Sequence, residues 1–450
     1  MGFQQGLSGL NAASKSLDVI GNNIANASTV GFKMAQAQFA DVYANSLSGG
    51  GTNNVGIGTR LATVAQQFTQ GNITGTNNPL DVAINGAGFF RMSTNGAITY
   101  SRNGQFQMDK NGGLVNAQGA QLTGYVADAQ GVLSTGAAVP IVINTADVPA
   151  NQTANINTRV NLDSRELVPK TTGTPPITTL VAFNPNDPST FNKATSVEVF
   201  DSLGNPHILQ TFYVQSKPVI PPPVAPVTKE WDVFTVVDGV YPPITPATLP
   251  VMVPPAPANS IGRVGFDAFG KLAVVNPSAA STPLAFDVRI DVPNTGSVTP
   301  ISTPLLVKYD LTGSTQFGSQ FSVNYLKQDG FTSGKLSKFN TSKDGSIVGS
   351  YTNGTTRVLA QVVVANFVNP NGLQPLGDNQ WNETATSGQP LVGSPGSGNL
   401  GGLVASSTED SNTDLTGELV NMITAQRIYQ ANAQTIKTQD QVLQTLVNLR

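Results

Sequence analysis

The sequence contains no cysteine and a single histidine. Without cysteine there is no disulfide, no thiolate metal site and no cysteine nucleophile. His207 has neither cysteine nor clustered carboxylates near it in the sequence, so it is a poor candidate for a metal ligand or a catalytic triad, and a turn or surface role is favoured. These absences point away from an enzyme, and we expect no catalytic residue, no metal and no cofactor.

Charge and long apolar runs are also scarce. Charged residues form 11% of the chain, against about 25% in an average soluble domain, and 24 basic and 27 acidic residues give a net charge of −3. With no basic run, nucleic acid is not an expected partner. No apolar stretch reaches the roughly 18 residues of a membrane span, so we expect no membrane insertion. The N-terminal residues lack the basic region of a cleavable secretion signal, and none is expected.

Each end of the chain carries a pattern that is typical of an amphipathic helix. Apolar residues fall every seven positions, with others on the adjoining position, as in a coiled coil. They are Phe3, Leu7, Leu10, Leu17 and Ile24 near the N-terminus, and Leu415, Leu419, Met422, Tyr429, Ile436 and Leu443 near the C-terminus. We predict that the first helix ends near residues 21–26, where Gly and Asn are frequent, and that the second begins near Ser411 and Asp414.

The sequence between about residue 70 and residue 400 is typical of β-structure. Short apolar runs are separated by Asn-Gly and Asp-Gly pairs, such as Asn95-Gly96, which favour tight hairpin turns. The strongest predicted strand covers residues 358–367, which are rich in β-branched side chains. Residues 217–257 are dense in proline and favour extended loop, with room for one strand at residues 231–237.

The two helical patterns lie more than 380 residues apart in sequence. A lone amphipathic helix is marginal in water, so the apolar residues must pack against each other, against neighbouring subunits, or against both. Pairing within one chain is the simpler alternative, and assembly is the one we favour. Arg427 either pairs with a neighbouring subunit or is an ordinary solvated arginine. Since free ends would expose apolar residues, we expect both to be largely disordered before assembly.

Several acidic residues are predicted to stabilise local backbone. Asp201, Asp329 and Asp344 lie beside Gly or Ser, where a carboxylate accepts hydrogen bonds from the N–H groups of a turn. Residues 408–410 precede the second predicted helix. Negative charge there would be favoured by the helix dipole.

Both ends of the sequence resemble the terminal signatures of the flagellar axial proteins, a family of rod, hook and hook-associated subunits. The matching segments are residues 9–13, 17–26 and 29–33 at one end and residues 412–450 at the other, with residues 425–432 the most specific. Residues 84–90 and 100–106 are similar to β-domain motifs that rod and hook subunits share. Three further segments resemble hook subunits in particular: residues 199–207, 328–334 and 396–399.

The resemblance implies a multidomain chain with an α-helical coiled-coil core formed by the two termini and β-rich middle domains inserted in nested order. The expected parts are a core of residues 1–30 with 411–450, a linker of residues 31–70, an inner β domain of residues 71–150 with 325–400, and an outer β domain of residues 151–324 that contains the proline-rich stretch 217–257.

The resemblance also implies a function. Copies of the chain would polymerise into a short, curved, flexible tube, the hook, which acts as a universal joint between the flagellar motor and the filament. Expected partners are other copies of the chain, the distal rod, the hook cap and the hook–filament junction proteins. The flagellar export apparatus would export the chain without a cleavable signal peptide, to an extracellular position at the hook and basal body.

Three other functions remain open from the sequence. A distal rod or hook-associated subunit would share the terminal helices, but the length of the chain and its middle segments argue against it. A secreted β-rich adhesin would explain the hairpins and leave the terminal patterns unexplained. A glycosidase would need two acidic side chains about 5–9.5 Å apart across a cleft, and the sequence gives no sign of one.

Overall fold

The computed structural model describes residues 2–42, 56–128, 130–169, 182–216, 229–239, 260–276, 285–290 and 305–448. The chain divides into two compact units. The first comprises Met1–Thr145, Leu336–Ser350 and Thr356–Arg450, and the second comprises Ala146–Lys335 and Tyr351–Thr355.

The described residues form one long α-helix at each end of the chain and 28 strands between them. The helices are α1 (Gly2–Ala25) and α2 (Leu415–Asn448). The strands are β1 (Ala35–Val42), β2 (Gly58–Gln66), β3 (Ile73–Gly75), β4 (Val82–Asn85), β5 (Phe89–Thr94), β6 (Ala97–Ser101), β7 (Gln107–Met108), β8 (Leu114–Val115), β9 (Gln121–Val126), β10 (Val139–Pro140), β11 (Asn155–Asn161), β12 (Lys193–Phe200), β13 (Pro206–Ser216), β14 (Lys229–Val237), β15 (Gly262–Phe266), β16 (Leu272–Asn276), β17 (Ala285–Ile290), β18 (Leu305–Asp310), β19 (Ser322–Gln328), β20 (Leu336–Thr341), β21 (Ser346–Tyr351), β22 (Thr356–Val362), β23 (Val364–Asn366), β24 (Gln374–Gly377), β25 (Gln380–Asn382), β26 (Leu391–Gly393), β27 (Gly402–Ala405) and β28 (Ser407–Glu409). The prediction of two terminal helices and a mostly β-rich middle is confirmed.

Most strands of the first unit join a 13-stranded sheet with the main order β20-β21-β22-β9-β5-β6-β25-β24. Successive side chains of a strand point to opposite faces. Phe90 of β5 therefore packs in one buried cluster with Phe106, while Phe89 packs in another with Tyr100 and Trp381. The strand pairs β4-β27 and β3-β28 join residues from early in the chain to residues near its end.

The second unit contains two sheets. The five-stranded sheet β12-β13-β14-β15-β16 is antiparallel throughout, and the four-stranded sheet β17-β18-β11-β19 contains one parallel pair, β11 with β18. Trp231 and Tyr213 from the first sheet and Tyr309 from the second are fully buried in a single core cluster. The two sheets thus share one core.

Two predicted strands are present with adjusted limits. Residues 231–237 lie in β14, while the remainder of the proline-rich stretch, residues 217–228 and 240–257, lies outside the described residues. The apolar run 358–367 is divided between β22 and β23, because the first part pairs with β9 and the second with β5 and β26.

One predicted turn is present, and the predicted connection contains strands. Asn95-Gly96 joins β5 to β6 with φ angles of 50° and 90°, the left-handed conformation that a two-residue hairpin turn requires. Residues 31–70, expected to be a connection, contain the antiparallel pair β1 and β2. No strand was predicted there, because neither run is strongly apolar.

Candidate assembly site on the terminal helices

The helices α1 and α2 pack against each other in antiparallel orientation. Gly6 near the start of α1 lies beside Ile436, and Asn23 near its end donates a hydrogen bond of 3.2 Å to Glu418 near the start of α2. A Cβ atom added at Gly9 would lie 2.6 Å from Oδ1 of Asn432. The two backbones therefore approach closely where α1 carries glycine.

Small and polar residues, together with Ile20, form the contact line of this helix pair, which we call the seam. On α1 the seam contains two sets of three residues, and within each set the residues are seven positions apart. One set of three residues on α2 has the same spacing. The seam residues, assigned from their contacts and burial, are Gly6, Gly9, Ala13, Ser16, Ile20 and Asn23 on α1 and Glu418, Ala425 and Asn432 on α2. The buried positions along the seam are occupied mostly by small or polar residues, such as Gly6, Ala13 and Ala425.

The large apolar residues predicted from the sequence lie mainly beside the seam. Ile436 contacts Gly6, and it is half-buried together with Leu10, Leu17, Ile24 and Met422. The other predicted residues are exposed, with fractional exposures of 47% for Phe3, 44% for Leu7, 47% for Leu415, 46% for Leu419, 38% for Tyr429 and 54% for Leu443. Pairing of the helices thus leaves much of both stripes uncovered.

The seam was not predicted from the sequence, because the prediction rested on large apolar side chains. A signal was present on α1, where Gly6 and Ala13, and likewise Gly9 and Ser16, are small residues seven positions apart. Small residues at such a spacing allow two helix backbones to approach, whereas leucine would hold them apart. Small residues that keep the spacing of a neighbouring leucine stripe are therefore the sequence pattern that indicates such a contact.

The end of α2 extends past the beginning of α1. Ile436 lies opposite Gly6, so in an antiparallel pair the residues beyond about 440 have no α1 residue opposite them. Residues 441–448 therefore project by about 12 Å at ~1.5 Å per residue. Three apolar residues on this projection are exposed, Val442 at 48%, Leu443 at 54% and Val447 at 74%.

A groove of about 350 Å³ lies between α1, α2 and β1. Its lining combines apolar residues such as Met34 and Ile428 with polar groups, including Asn23 and Glu418. Asn23 also donates to the carbonyl oxygen of Ala35 and accepts a hydrogen bond from its N–H, so this asparagine ties α1 to β1 as well as to α2.

The start of α2 differs slightly from the prediction. Asp414 caps the helix, since its Oδ1 accepts a hydrogen bond from the N–H of Thr416 and its carbonyl oxygen accepts one from Glu418. Ser411 instead donates to the side chain of Thr413. Asn412 links the two ends of the chain, because its side chain accepts from the N–H of Met34 and donates to the carbonyl oxygen of Gln67.

Glu409 does not act through the helix dipole as predicted. Its side chain is fully buried and forms two ion pairs, at 2.6 Å with Nζ of Lys33 and at 3.0 Å with Nη1 of Arg102. Burial lowers the pKa values of Lys33 and Arg102, and the carboxylate of Glu409 opposes both shifts. The prediction failed because the partners of Glu409 lie more than 300 residues away in sequence.

The remaining predicted polar residues have mixed outcomes. Asp201 and Asp344 each accept hydrogen bonds from N–H groups two to four residues ahead, as expected for turns. Asp329 instead binds the N–H groups of Ala154 and Asn155, so the local turn assignment was wrong. His207 is buried, with Nδ1 2.7 Å from Asp238, so the surface alternative was wrong. Its Nε2 lies 3.7 Å from the carboxylate of Asp201, which agrees with the alternative of a role beside a turn.

Three further observations concern Arg427, metal ligands and membrane spans. Arg427 is exposed and forms no ion pair with any described residue. No group of three or more His, Asp or Glu suited to a metal ion occurs among the described residues. Neither described helix has the length and apolar character needed to cross a membrane.

Four protein-family models match the chain. They are the flagella basal body rod protein at residues 3–33, the flagellar hook protein FlgE/F/G D1 domain at residues 83–160, the flagellar basal body protein FlaE D2 domain at residues 161–331, and the flagellar basal body rod FlgEFG protein C-terminal model at residues 404–449.

The chain is also similar over its full length to curated proteins. It is 40% identical over 453 residues to the flagellar hook protein FlgE of Salmonella typhimurium, covering 100% of both chains. It is 39% identical over 457 residues to the flagellar hook protein FlgE of Escherichia coli, again covering 100% of both. A solved structure, the flagellar hook protein FlgE2 of Helicobacter pylori, aligns with a TM-score of 0.48 and 15% identity over 73% of this chain and 98% of that chain.

Proposed function

The chain belongs to the flagellar hook protein family, and on that premise we propose that it is a structural subunit of the bacterial flagellar hook. Copies of the chain polymerise into a short, curved, flexible tube that transmits torque from the motor to the filament. The proposal rests on identity of 40% to a hook protein across the entire length of both chains. The family is a structural one, so the proposed activity is assembly and not catalysis.

One structural observation supports assembly through the terminal helices. Their close pairing along the seam leaves Phe3, Leu7 and Leu419 exposed on the pair, and Leu443 is exposed on the part of α2 that projects beyond it. A large apolar side chain contributes about 1.5–3 kcal/mol when it moves from water into a contact. We therefore propose that the two stripes bind neighbouring copies, and that Ile436 is the stripe residue that serves the contact within one chain.

The proposed domain arrangement follows the nested order implied by the family. The core consists of residues 1–30 with 411–450 as a coiled coil, residues 31–70 connect it to an inner β domain, and that domain comprises residues 71–150 with 325–400. Residues 151–324 form the outer domain. The antiparallel pairing of α1 with α2 supports this order, because the chain must leave the core and return to it.

The proposed location is the hook and basal body, outside the cell. Neighbouring copies are the principal partners. The distal rod, the hook cap and the hook–filament junction proteins are the proposed partners at the ends of the tube, and the flagellar export apparatus is the proposed route of export, without a cleavable signal peptide.

Electron microscopy under strongly salting-out conditions tests the role of the ends. The full-length chain is compared with a version that lacks residues 1–26 and 412–450. We expect hollow, curved tubes from the full-length chain alone. Tubes from both would show that the helices are not the polymerising element. If neither forms tubes, spontaneous assembly of the chain is refuted, and the same comparison in the presence of preformed hook fragments measures elongation instead.

A further inference from the structure

The ion pairs of Glu409 lie where the two ends of the chain meet the β-structure of the first unit. We call residues 29–35 the N-terminal limb and residues 407–412 the C-terminal limb. Lys33 belongs to the first limb and Glu409 to the second, while Arg102 follows β6 in the β-structure. The three charged groups come from three separate parts of the sequence.

Every charged group in this cluster is removed from water. The side chains of Lys33 and Glu409 are 0% exposed, and that of Arg102 is 3% exposed. Lys33 also donates to the carbonyl oxygen of Thr69, and Arg102 donates to that of Gly86. Glu409 also accepts a hydrogen bond from the N–H of Gly71, so both of its oxygens are engaged.

The charges in the cluster do not balance. Two cations, Lys33 and Arg102, share the single anion Glu409. A buried ion whose partner is removed is strongly destabilising, because its desolvation is no longer offset. If the C-terminal limb left this position, Lys33 could not stay buried beside Arg102. The N-terminal limb would then have to leave as well.

Backbone contacts connect the same two limbs. The N–H of Gly31 donates to the carbonyl oxygen of Glu409 at 2.7 Å, and the N–H of Met34 donates to Asn412 Oδ1 at 2.7 Å. On these grounds we propose that the two limbs dock on the β-structure as one cooperative unit, with Glu409 as the group that makes docking of either limb conditional on the other.

Amide hydrogen exchange of the full-length chain, followed in peptides from each limb and from β4–β6, tests this coupling. In Glu409→Gln the side chain keeps its size and loses its charge. We expect exchange in residues 29–35 and 407–412 to accelerate by the same factor, on the order of 100-fold, with β4–β6 unchanged. Acceleration confined to residues 407–412, or none in either limb, refutes the proposal. Equal acceleration in β4–β6 refutes it too, because docking would then not be a separate step.

Asp410→Asn is the matched control. Asp410 is the next residue, accepts a hydrogen bond from Thr74, and forms no ion pair among the described residues. We expect its effect on residues 29–35 to stay below about tenfold. A second variant, Glu409→Gln with Lys33→Met, removes the stranded lysine charge, so part of the protection in residues 29–35 should return. An equal effect of the control, or no return of protection in the double variant, would show that charge compensation does not couple the limbs.

Discussion

Gly9 and Gly21 allow the seam to be tested with one substitution at two positions of the same helix. A Cβ at Gly9 would lie 2.6 Å from Asn432 Oδ1, whereas nothing lies within 4 Å of one at Gly21. Leucine improves helix propensity over glycine by about 0.8 kcal/mol at either position, so that contribution cancels in the comparison. Overpacking a close contact costs about 1–3 kcal/mol. We therefore expect Gly9→Leu to be less stable than Gly21→Leu by about 1–3 kcal/mol.

The comparison is made on the full-length chain. Urea unfolding followed by helical circular dichroism gives the stability of each variant, and amide exchange in peptides from residues 2–25 localises the change to α1. Gly9→Ala provides an intermediate step, because the amide of Asn432 can move a short distance. Equal stabilities for Gly9→Leu and Gly21→Leu would refute the seam. Unprotected amides throughout α1 in the unsubstituted chain would refute pairing within a single subunit and support the expectation that the ends are disordered before assembly.

Three further predictions concern assembly and the second unit. Leu443→Lys should raise the protein concentration needed for tube formation by at least about tenfold, since a charge replaces an apolar contact. Sedimentation of the tubes measures this concentration. The control Gln434→Lys, at a position about 180° away around α2, should have little effect. Burial alone would raise the pKa of Asp329, but its hydrogen bonds with Asn155 and Ala154 lower the pKa below its ordinary value of 3.8. The stability that the carboxylate provides is therefore present above pH 3.8 and is lost as the pH falls through the lowered pKa. Asp329→Asn should therefore cost about 1 kcal/mol at pH 7 and progressively less in acid, as urea titrations at several pH values would show, whereas a constant difference would contradict the assignment. Trp231→Ala should destabilise the second unit by about 3–5 kcal/mol, while Phe269→Ala, at a residue 81% exposed, should stay within about 0.5 kcal/mol by the same titration.

The features that the sequence predicted correctly depend on short-range physics. The apolar period placed both helices, and Asn95-Gly96 predicted a hairpin turn because only certain residues adopt the left-handed conformation readily. The β-branched run at residues 358–367 correctly indicated strand. Its division into β22 and β23 depends on which strands pair with it, and local sequence carries no information on that.

The features that were missed depend on contacts between distant residues. Glu409 precedes a helix and resembles a capping residue, yet its side chain is buried and forms ion pairs with Lys33 and Arg102. Asp329 lies next to glycine and resembles a turn residue, yet its carboxylate accepts hydrogen bonds from the N–H groups of Ala154 and Asn155. A carboxylate has the same local signature in either role. Its partner is decided by the fold, so one sequence could not distinguish a turn from a long-range contact.

The arrangement of small and large residues on the helices determines what remains available for assembly. If leucines formed the seam, the apolar surface of α1 and α2 would be used within one chain. Because Gly6, Gly9 and Ala13 allow the backbones to approach instead, dispersion contacts along the seam hold the pair while Leu7 and Leu419 stay exposed. Burial of several exposed side chains, at about 1.5–3 kcal/mol each, would contribute a free energy similar to the free energy of unfolding of a whole domain, about 5–15 kcal/mol. Loss of a single one should therefore shift the concentration at which the chain assembles without abolishing assembly, whereas a bulky residue in the seam should disturb the helix pair on which every outer contact depends.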